Sequence, residues 1–423
     1  MPARPVAHRV GAAALALVAL LAACADDENA TPTTNSVAET TTTAHTDDGI
    51  LVVGAVIPSS GGAADIGASI ATGLSLAVEE INAAGGVNGR PVRLITRDEG
   101  DNPTTAGLAM QDLVQGVDAI IGPTSSTNAL GTLSIAVDAG ILTCSPTATA
   151  LALDDFPDSG LFFRTIPSDS LQARAIATTV EASGGSTTAI VYLDDAYGRP
   201  FADVAGAAIR AGGTVVADTI GFTPTEESIS AAVAAVVAAD ADVVTVIADS
   251  VAGPAIINAI DAEASSRTTF VVNDAIRRPA VSTQPFSARL ARRVVGVAPQ
   301  AVSGNTAFTE SLLALDPAST ALFAHNAYDC LNIIALAATA SSSTQPADIA
   351  AAVAAVTTSG TDCATYTACT AALEQGRNIN YNGPSGNLSI DSDGNVASAD
   401  FDQFGFDATG RDVGDGEIAV GNG

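Results

Sequence analysis

Apolar and polar positions along the chain fall into a repeated two-beat pattern. Leu51 to Ile57 is an apolar run closed by Pro58, as expected for a strand buried on both faces. Ile70, Leu74, Ala77, Val78 and Ile81 then recur at helical spacing, and Gly85-Gly86 followed by Asn88-Gly89 ends that helix in a turn. Val92 to Thr96 predicts the next strand, Thr104 to Gln115 a helix, Ala119 to Ile121 a strand, Ser126 to Ala139 a helix and Ile141 to Thr143 a strand. Such βαβ repetition implies a parallel sheet covered by helices. The rhythm restarts with Ala189 to Leu193, Pro200 to Ala211 and Thr214 to Ile220, and continues through Ser228 to Ala239, Val243 to Ile247, Val251 to Ala264 and Thr269 to Val272. Between the series lies Phe162 to Asp169, and Val294 to Pro299 is a second candidate crossing. After it the pattern is mostly helical (Ala318 to Ala340, Pro346 to Val356, Thr365 to Gln375), and Ile379 to Val420 is rich in Gly and Asp with short β-like runs. Two α/β lobes joined by several crossings account for this order better than one large sheet.

The first 48 residues break the pattern. Arg4 and Arg9 precede an apolar run from Val10 to Leu21, followed by Leu21-Ala22-Ala23-Cys24. A positive start, a short apolar stretch and small residues at a cleavage point describe a signal peptide over residues 1–23. The run is too short to cross a ~30 Å hydrocarbon core, which needs ~20 apolar residues. Cysteine immediately after the small residues resembles a bacterial lipobox, which implies a diacylglyceryl thioether on Cys24 and a stable membrane anchor. Residues 24–48 are Thr-, Ala-, Asp- and Asn-rich and nearly lack large apolar side chains, so they read as a flexible tether. The protein is therefore expected outside the cytoplasm, lipid-anchored to the cell membrane.

Charge and cysteine content narrow the picture further. Net charge is −29, and loss of Arg4 and Arg9 with the leader takes it to −31. So acidic a surface repels phosphate backbones and excludes nucleic acid as a partner. Aromatics are 4% of residues and tryptophan is absent, which argues against stacking of sugar rings. Cys363 and Cys369 lie six apart in a polar stretch and are expected to pair in an oxidising compartment. Cys144 and Cys330 sit in apolar patterns and read first as small buried hydrophobes, with a bridge between them left open.

Several stretches together resemble the leucine/isoleucine/valine-type (branched-chain amino acid) substrate-binding lipoproteins of ABC transporters. They are Ala77 to Arg90 (AVEEINAAGGVNGR), Ile120 to Ser126 (IIGPTSS), Cys144 to Thr149 (CSPTAT), Phe163 to Asp169 (FRTIPSD) and Asp195 to Gly198 (DAYG). Tyr328-Asp329 and Tyr381 to Gly386 extend the match toward the C-terminus, and the Cys363–Cys369 loop is similar to that of a lipoprotein branch. The resemblance implies a type I periplasmic-binding fold: two Rossmann-like α/β lobes with parallel sheets and a multi-strand hinge. On that basis residues 49–165 plus 299–380 are expected in lobe 1 and 166–298 plus 381–423 in lobe 2. It also implies a monomer that captures a small amino acid or related amide and delivers it to an ABC permease.

A ligand carboxylate suits a helix N-terminus, where unpaired N–H groups and the helix dipole favour an anion, and Pro123 to Ser126 runs from a strand end into such a terminus. The resemblance implies that Ser126, or Ser125 if the alignment slips by one, and then Thr147 and Thr149 meet that carboxylate. It places Tyr197 opposite, closing from the second lobe, and an acid against the ligand ammonium. Asp274, after the strand Thr269 to Val272, is the first candidate for that acid, and Asp249 the second. The loop Pro58 to Gly67 carries Ile66 where many relatives carry an aromatic, so the side-chain pocket departs from the family norm.

Catalysis finds little support. His8 lies in the leader and His45 in the tether, which leaves His325 alone in the body, within a helical pattern and without a neighbouring nucleophile signal. Metal-ligand spacing is absent, and Asp391 to Asn395 lacks the downstream glutamate of a calcium loop and reads as a hairpin turn. Gly184-Gly185 and Gly212-Gly213 end helices rather than open them, so no phosphate cradle and no cofactor are implied. The expectation is a binding protein for import. The alternatives are a sensor lipoprotein that signals without import and, more remotely, an enzyme on a similar fold.

Overall fold

The structure is a computed structural model, and it describes residues 47–265, 267–277, 286–299 and 306–421. Cys24, the leader and nearly all of the tether lie outside the described residues.

The first half builds β1 (Val52–Ile57), α1 (Ala64–Ala83), β2 (Arg93–Asp98), α2 (Pro103–Leu113), β3 (Ala119–Ile121), α3 (Ser126–Ala139), β4 (Leu142–Ser145) and β5 (Phe162–Arg164). These strands form one parallel sheet in the order β2-β1-β3-β4-β5. Side chains alternate across it with period two. Val53, Ala55 and Ile57 face a core with Ile70, Leu74 and Ala77 of α1, while Val56 and Ile120 face a second core with Met110 and Leu113 of α2 and Ala136 of α3. Local chemistry sets the helix starts. Asn102 accepts from the N–H groups of Thr104 and Thr105, with Pro103 in the first turn of α2.

The second series is α4 (Asp169–Ala182), β6 (Thr187–Leu193), α5 (Gly198–Ala211), β7 (Val215–Phe222), α6 (Glu226–Ala239), β8 (Val243–Ile247), α7 (Ala252–Glu263), β9 (Thr269–Val272), α8 (Ala288–Ala291) and β10 (Val294–Pro299). The chain then returns to the first lobe through α9 (Thr306–Leu315), α10 (Ala324–Ser341), α11 (Pro346–Thr357), β11 (Thr361–Cys363), α12 (Tyr366–Leu373) and β12 (Ile379–Tyr381). It ends with β13 (Ser398–Phe406) and β14 (Asp412–Gly421). The second sheet runs β14-β13-β10-β9-β8-β6-β7. Its pairs from β7 to β10 are parallel, but β13 and β14 join antiparallel, so this sheet is mixed rather than purely parallel.

Several details differ from the pattern read along the sequence. The helix expected from Ala318 starts only at Ala324, as α10, because Ala321 and Phe323 just before it take left-handed backbone conformations at φ 60° and 57°; α9 is a separate helix that ends at Leu315. The last change of lobe comes later than residue 380. Tyr381, Leu388, Ile390 and Val396 still belong to the first lobe's core, and the second sheet receives the chain at Ser398. Asp329 of α10 explains this detour: it accepts from the Tyr381 hydroxyl at 2.6 Å, from the Ser385 N–H at 2.8 Å and from the Ser385 hydroxyl. The segment after β12 is thereby held to α10, and burial pushes the Asp329 pKa up to about 7.

Both pairs of body cysteines are bridged. Cys363–Cys369 closes β11 onto α12 with Cα atoms 5.3 Å apart. Cys144–Cys330 ties β4 to α10 across 186 residues, so the first reading of these two as unpaired buried hydrophobes is corrected. Their apolar surroundings hid the bond, since a buried half-cystine and a buried thiol leave the same sequence pattern.

Candidate functional site

The C-terminal ends of the parallel strands in both lobes carry the residues of interest, where open α/β sheets place ligands. In the first lobe the loop after β3 turns through Gly122, whose φ of +97° and 2.0 Å approach of a built Cβ to the Val56 carbonyl admit only glycine. Ser125 then caps α3 by accepting from the Asn128 N–H and is exposed. Ser126, one residue further, accepts the N–H groups of Thr149 and Ala150, both at 3.2 Å. Thr147 donates its hydroxyl to the Thr124 carbonyl at 2.6 Å. The structure therefore joins the loops after β3 and β4 through Ser126, Thr147 and Thr149.

The start of α3 already holds an anion of the protein. Glu99, following β2 and 1% exposed, accepts from the Thr124 N–H at 2.8 Å and hydroxyl at 2.6 Å, and from the Ser125 N–H and the Asn128 side-chain amide at 2.9 Å each. Burial raises its pKa, and these four hydrogen bonds oppose the rise.

Facing Thr149 is Asp169, the first residue of α4. Its N–H donates to the Thr149 carbonyl at 3.0 Å. Its side chain is buried, and neither carboxylate oxygen makes a hydrogen bond. Burial pushes its pKa up to about 8; the nearby Thr149 hydroxyl and Arg164 guanidinium oppose the rise, while the Asp274 and Asp154 charges add to it.

Tyr197 and Asp274 complete the group from the second lobe. Tyr197, at the start of α5, accepts from the Asn273 side-chain amide at 3.0 Å and packs edge-on against Phe201. Burial lifts its phenol pKa well above the ordinary range, and the charges of Asp169 and Asp274 lift it further. Asp274 follows β9 and accepts from the Gln172 side-chain amide at 2.9 Å, with its own pKa raised by burial. The same Gln172 nitrogen donates to the Val297 carbonyl at 2.8 Å, and the Gln172 side-chain oxygen is buried and unbonded. The hydroxyl of Thr149, the carboxyls of Asp169 and Asp274 and the phenol of Tyr197 are thus gathered near one another.

A family model for periplasmic binding proteins matches residues 50–409. The chain belongs to the periplasmic binding protein family. This binding protein is 31% identical over 198 residues to Leu/Ile/Val-binding protein homolog 3 of Brucella melitensis, a match covering 46% of this chain and 53% of that relative, so it spans about half the relative's length. It is 30% identical over 363 residues to the chemotactic signal transduction system substrate-binding protein BasB of Halobacterium salinarum, covering 80% and 83% of the two chains. Among solved structures, an ABC transporter substrate-binding protein from Desulfitobacterium hafniense in complex with Leu superposes with a TM-score of 0.69 at 21% identity, over 86% of this chain and 99% of that one. That likeness establishes the two-lobed α/β fold.

Two of the expected site residues of this binding protein face elsewhere. Ser125 serves as a helix cap, and Asp249 is exposed and, two residues before the N-cap Val251, accepts from the N–H groups of Val251 and Ala252 at 2.8 and 2.6 Å. Asp169, Gln172, Asn273 and Glu99 escaped the sequence reading. Asp169 had a signal, because it ends the FRTIPSD stretch just before a helix. Glu99 had none, since an acid beside Asp98 after a strand reads as an ordinary loop residue. Among the described residues no cluster of His, Cys, Asp and Glu could hold a metal ion, and no helix is long and apolar enough to cross a membrane.

Proposed function

We propose that this chain is the extracytoplasmic solute-binding component of an ABC importer, monomeric and lipid-anchored through Cys24. Its solute is a small amino acid of the branched-chain type or a related amide. The observation that carries the proposal is Asp169, a buried carboxylate with both oxygens unbonded beside Asp274 and Tyr197. A buried carboxyl without donors is held protonated near neutral pH, and an ammonium with three N–H groups stabilises its ionised form. The solute carboxylate then falls to Ser126 and Thr149. A solute held by both lobes has more contacts in the closed form, and that difference in affinity drives closure and presents the closed surface to a permease.

The test is calorimetry and thermal shift with L-leucine, L-isoleucine, L-valine, short amides and an amine without a carboxylate. Saturation at a hundred times Kd adds about 2.7 kcal/mol of stability. A flat response to every compound refutes the proposal. Ser126→Ala with Thr149→Val is expected to lower affinity for the amino acid and leave the weaker affinity for the simple amine unchanged.

A second reading, solute sensing without import, is favoured by the match to BasB, which covers more of both chains than the match to the Brucella relative. Deleting the chain from its host separates the two: import predicts lost uptake of labelled solute, and sensing predicts lost behavioural response with uptake intact.

A further inference from the structure

Arg164 is the one large cation sealed completely inside the solute-binding half among the described residues, at 0% exposure. It ends β5, directly before the first crossing between lobes. All three of its nitrogens are engaged. Nη1 donates to the carbonyls of Ala148 and Ala150 at 3.3 Å each, the two residues flanking Thr149. Nη2 pairs with Asp154 and donates to the Asn395 side-chain oxygen at 2.7 Å, which Nε reaches at 3.0 Å.

The partners lie at three separate places in the mechanism. Ala148 and Ala150 bracket the loop that meets Ser126. Asp154 accepts both bonds of the Ser168 hydroxyl, at 2.8 and 2.9 Å, and Ser168 is the first-crossing residue that caps α4 immediately before Asp169. Asn395 stands in the turn Asp391–Asn395, three residues before β13 begins at Ser398 and the third crossing is complete, and returns its amide to the Asp154 carbonyl at 2.8 Å. That turn is strapped to β5 by the Arg164 N–H bonded to the Gly394 carbonyl at 3.0 Å. A Cβ at Gly394 would sit 2.2 Å from the Phe162 carbonyl. A planar guanidinium can serve these directions at once, whereas a lysine ammonium offers three donors from a single point.

We propose that Arg164 is a positioning residue that couples the hinge to the solute loop: movement of the first and third crossings reaches Thr149 and Asp169 through the Arg164–Asp154–Asn395 cluster. The role of Thr149 and Asp169 rests on the solute-binding reading above, but the mechanical coupling does not require a solute to be measured.

Arg164→Met would strand Asp154 beside an apolar side chain and endanger folding, so the decisive variant is Asn395→Ala. In the solute-free protein, hydrogen exchange of the backbone N–H groups of Thr149, Ala150 and Asp169 is expected to accelerate at least tenfold. Exchange within α6, far along the chain from Asn395, is expected to stay within twofold. Asn395→Asp keeps the oxygen that Arg164 holds and is expected to retain protection within about threefold of the parent. With L-leucine as probe, Asn395→Ala is expected to weaken binding about tenfold and Asn395→Asp less. Unchanged exchange at Thr149 and Asp169, or acceleration spread evenly over the molecule, overturns the coupling. Failure of leucine to bind the parent protein counts against the proposed function and leaves the exchange result to decide the coupling.

Discussion

The Asp169 N–H meets the Thr149 carbonyl at 3.0 Å, so the acid that begins α4 and the hydroxyl loop after β4 are fixed to each other by backbone. The carboxylate of Asp169 hangs from that link without a hydrogen bond. Asp169→Asn keeps the shape and removes the charge. A charge-assisted hydrogen bond contributes about 1.5–3 kcal/mol, so affinity for an amino acid is expected to fall about tenfold to a hundredfold by calorimetry. The solute-free variant is expected to melt at or above the parent temperature at pH 8, because a buried unbonded charge is gone. A lower melting temperature together with unchanged affinity would assign Asp169 a purely structural role.

Acidity should act on the empty and loaded forms in opposite senses. Asp169 rises from an ordinary 3.8 to about 8 and Asp329 from 3.8 to about 7. Both therefore hold more protons folded than unfolded between pH 4 and their raised values, and folding stability falls as pH climbs through that window. The groups facing Asp169 are Asp274, Asp154, Tyr197, Arg164 and Thr149; those facing Asp329 are Tyr381 and Ser385. The solute-free protein is expected to melt several degrees higher at pH 5 than at pH 8. Amino-acid affinity is expected to strengthen from pH 6 to 8 as Asp169 ionises, with proton release at pH 7 detectable by calorimetry in buffers of differing ionisation enthalpy. A melting temperature that climbs over the same interval would show that the carboxyl of Asp169 is ionised in the empty protein.

Much of this was legible before any coordinates. Ala119–Ile121, Ser126–Ala139, Val243–Ile247 and Thr269–Val272 fall where their apolar pattern places them, because strands buried on both faces and capped helices leave strong local signals. The late start of α10 at Ala324 left little, since Pro317 marks the end of α9 but the left-handed residues Ala321 and Phe323 are neither Gly nor Asn. The antiparallel β13–β14 pair was equally silent about its neighbour, because pairing with β10 is decided by three-dimensional closeness rather than by period. Ser126, Thr149, Tyr197 and Asp274, which the family resemblance proposed for the site, stand at strand ends or helix starts around Asp169. Asp249 sits after a strand as well, but its side chain is exposed and bonded to the Val251 and Ala252 N–H groups.

Asp249→Asn supplies the matching control. Its carboxylate spends itself on the Val251 and Ala252 N–H groups. Asparagine also caps helices well. Solute affinity is expected to change less than twofold; a loss comparable to that of Asp169→Asn would return Asp249 to the site.

The Cys144–Cys330 bridge spans 186 residues and fastens β4, whose end leads into the Thr147–Thr149 loop, to α10. Replacing both cysteines by alanine is expected to cost roughly 2–5 kcal/mol, or a fall of about 3–6 °C for a body of this size. Thermal melts with and without a reducing agent check it, the variant being insensitive to the reagent at this bond. Equal melting temperatures for parent and variant would mean that the bond adds nothing to the fold.

Glu99 changes what the proposed solute site can select. With its carboxylate seated among the Thr124, Ser125 and Asn128 donors, the positive end of α3 is already balanced from within. An incoming acid group gains little long-range pull there and must be recognised at contact distance, by hydroxyl geometry. If the proposed solute binds there, discrimination between an acid and its uncharged amide is therefore expected to be shallow, which widens the range of head groups that the site can accept.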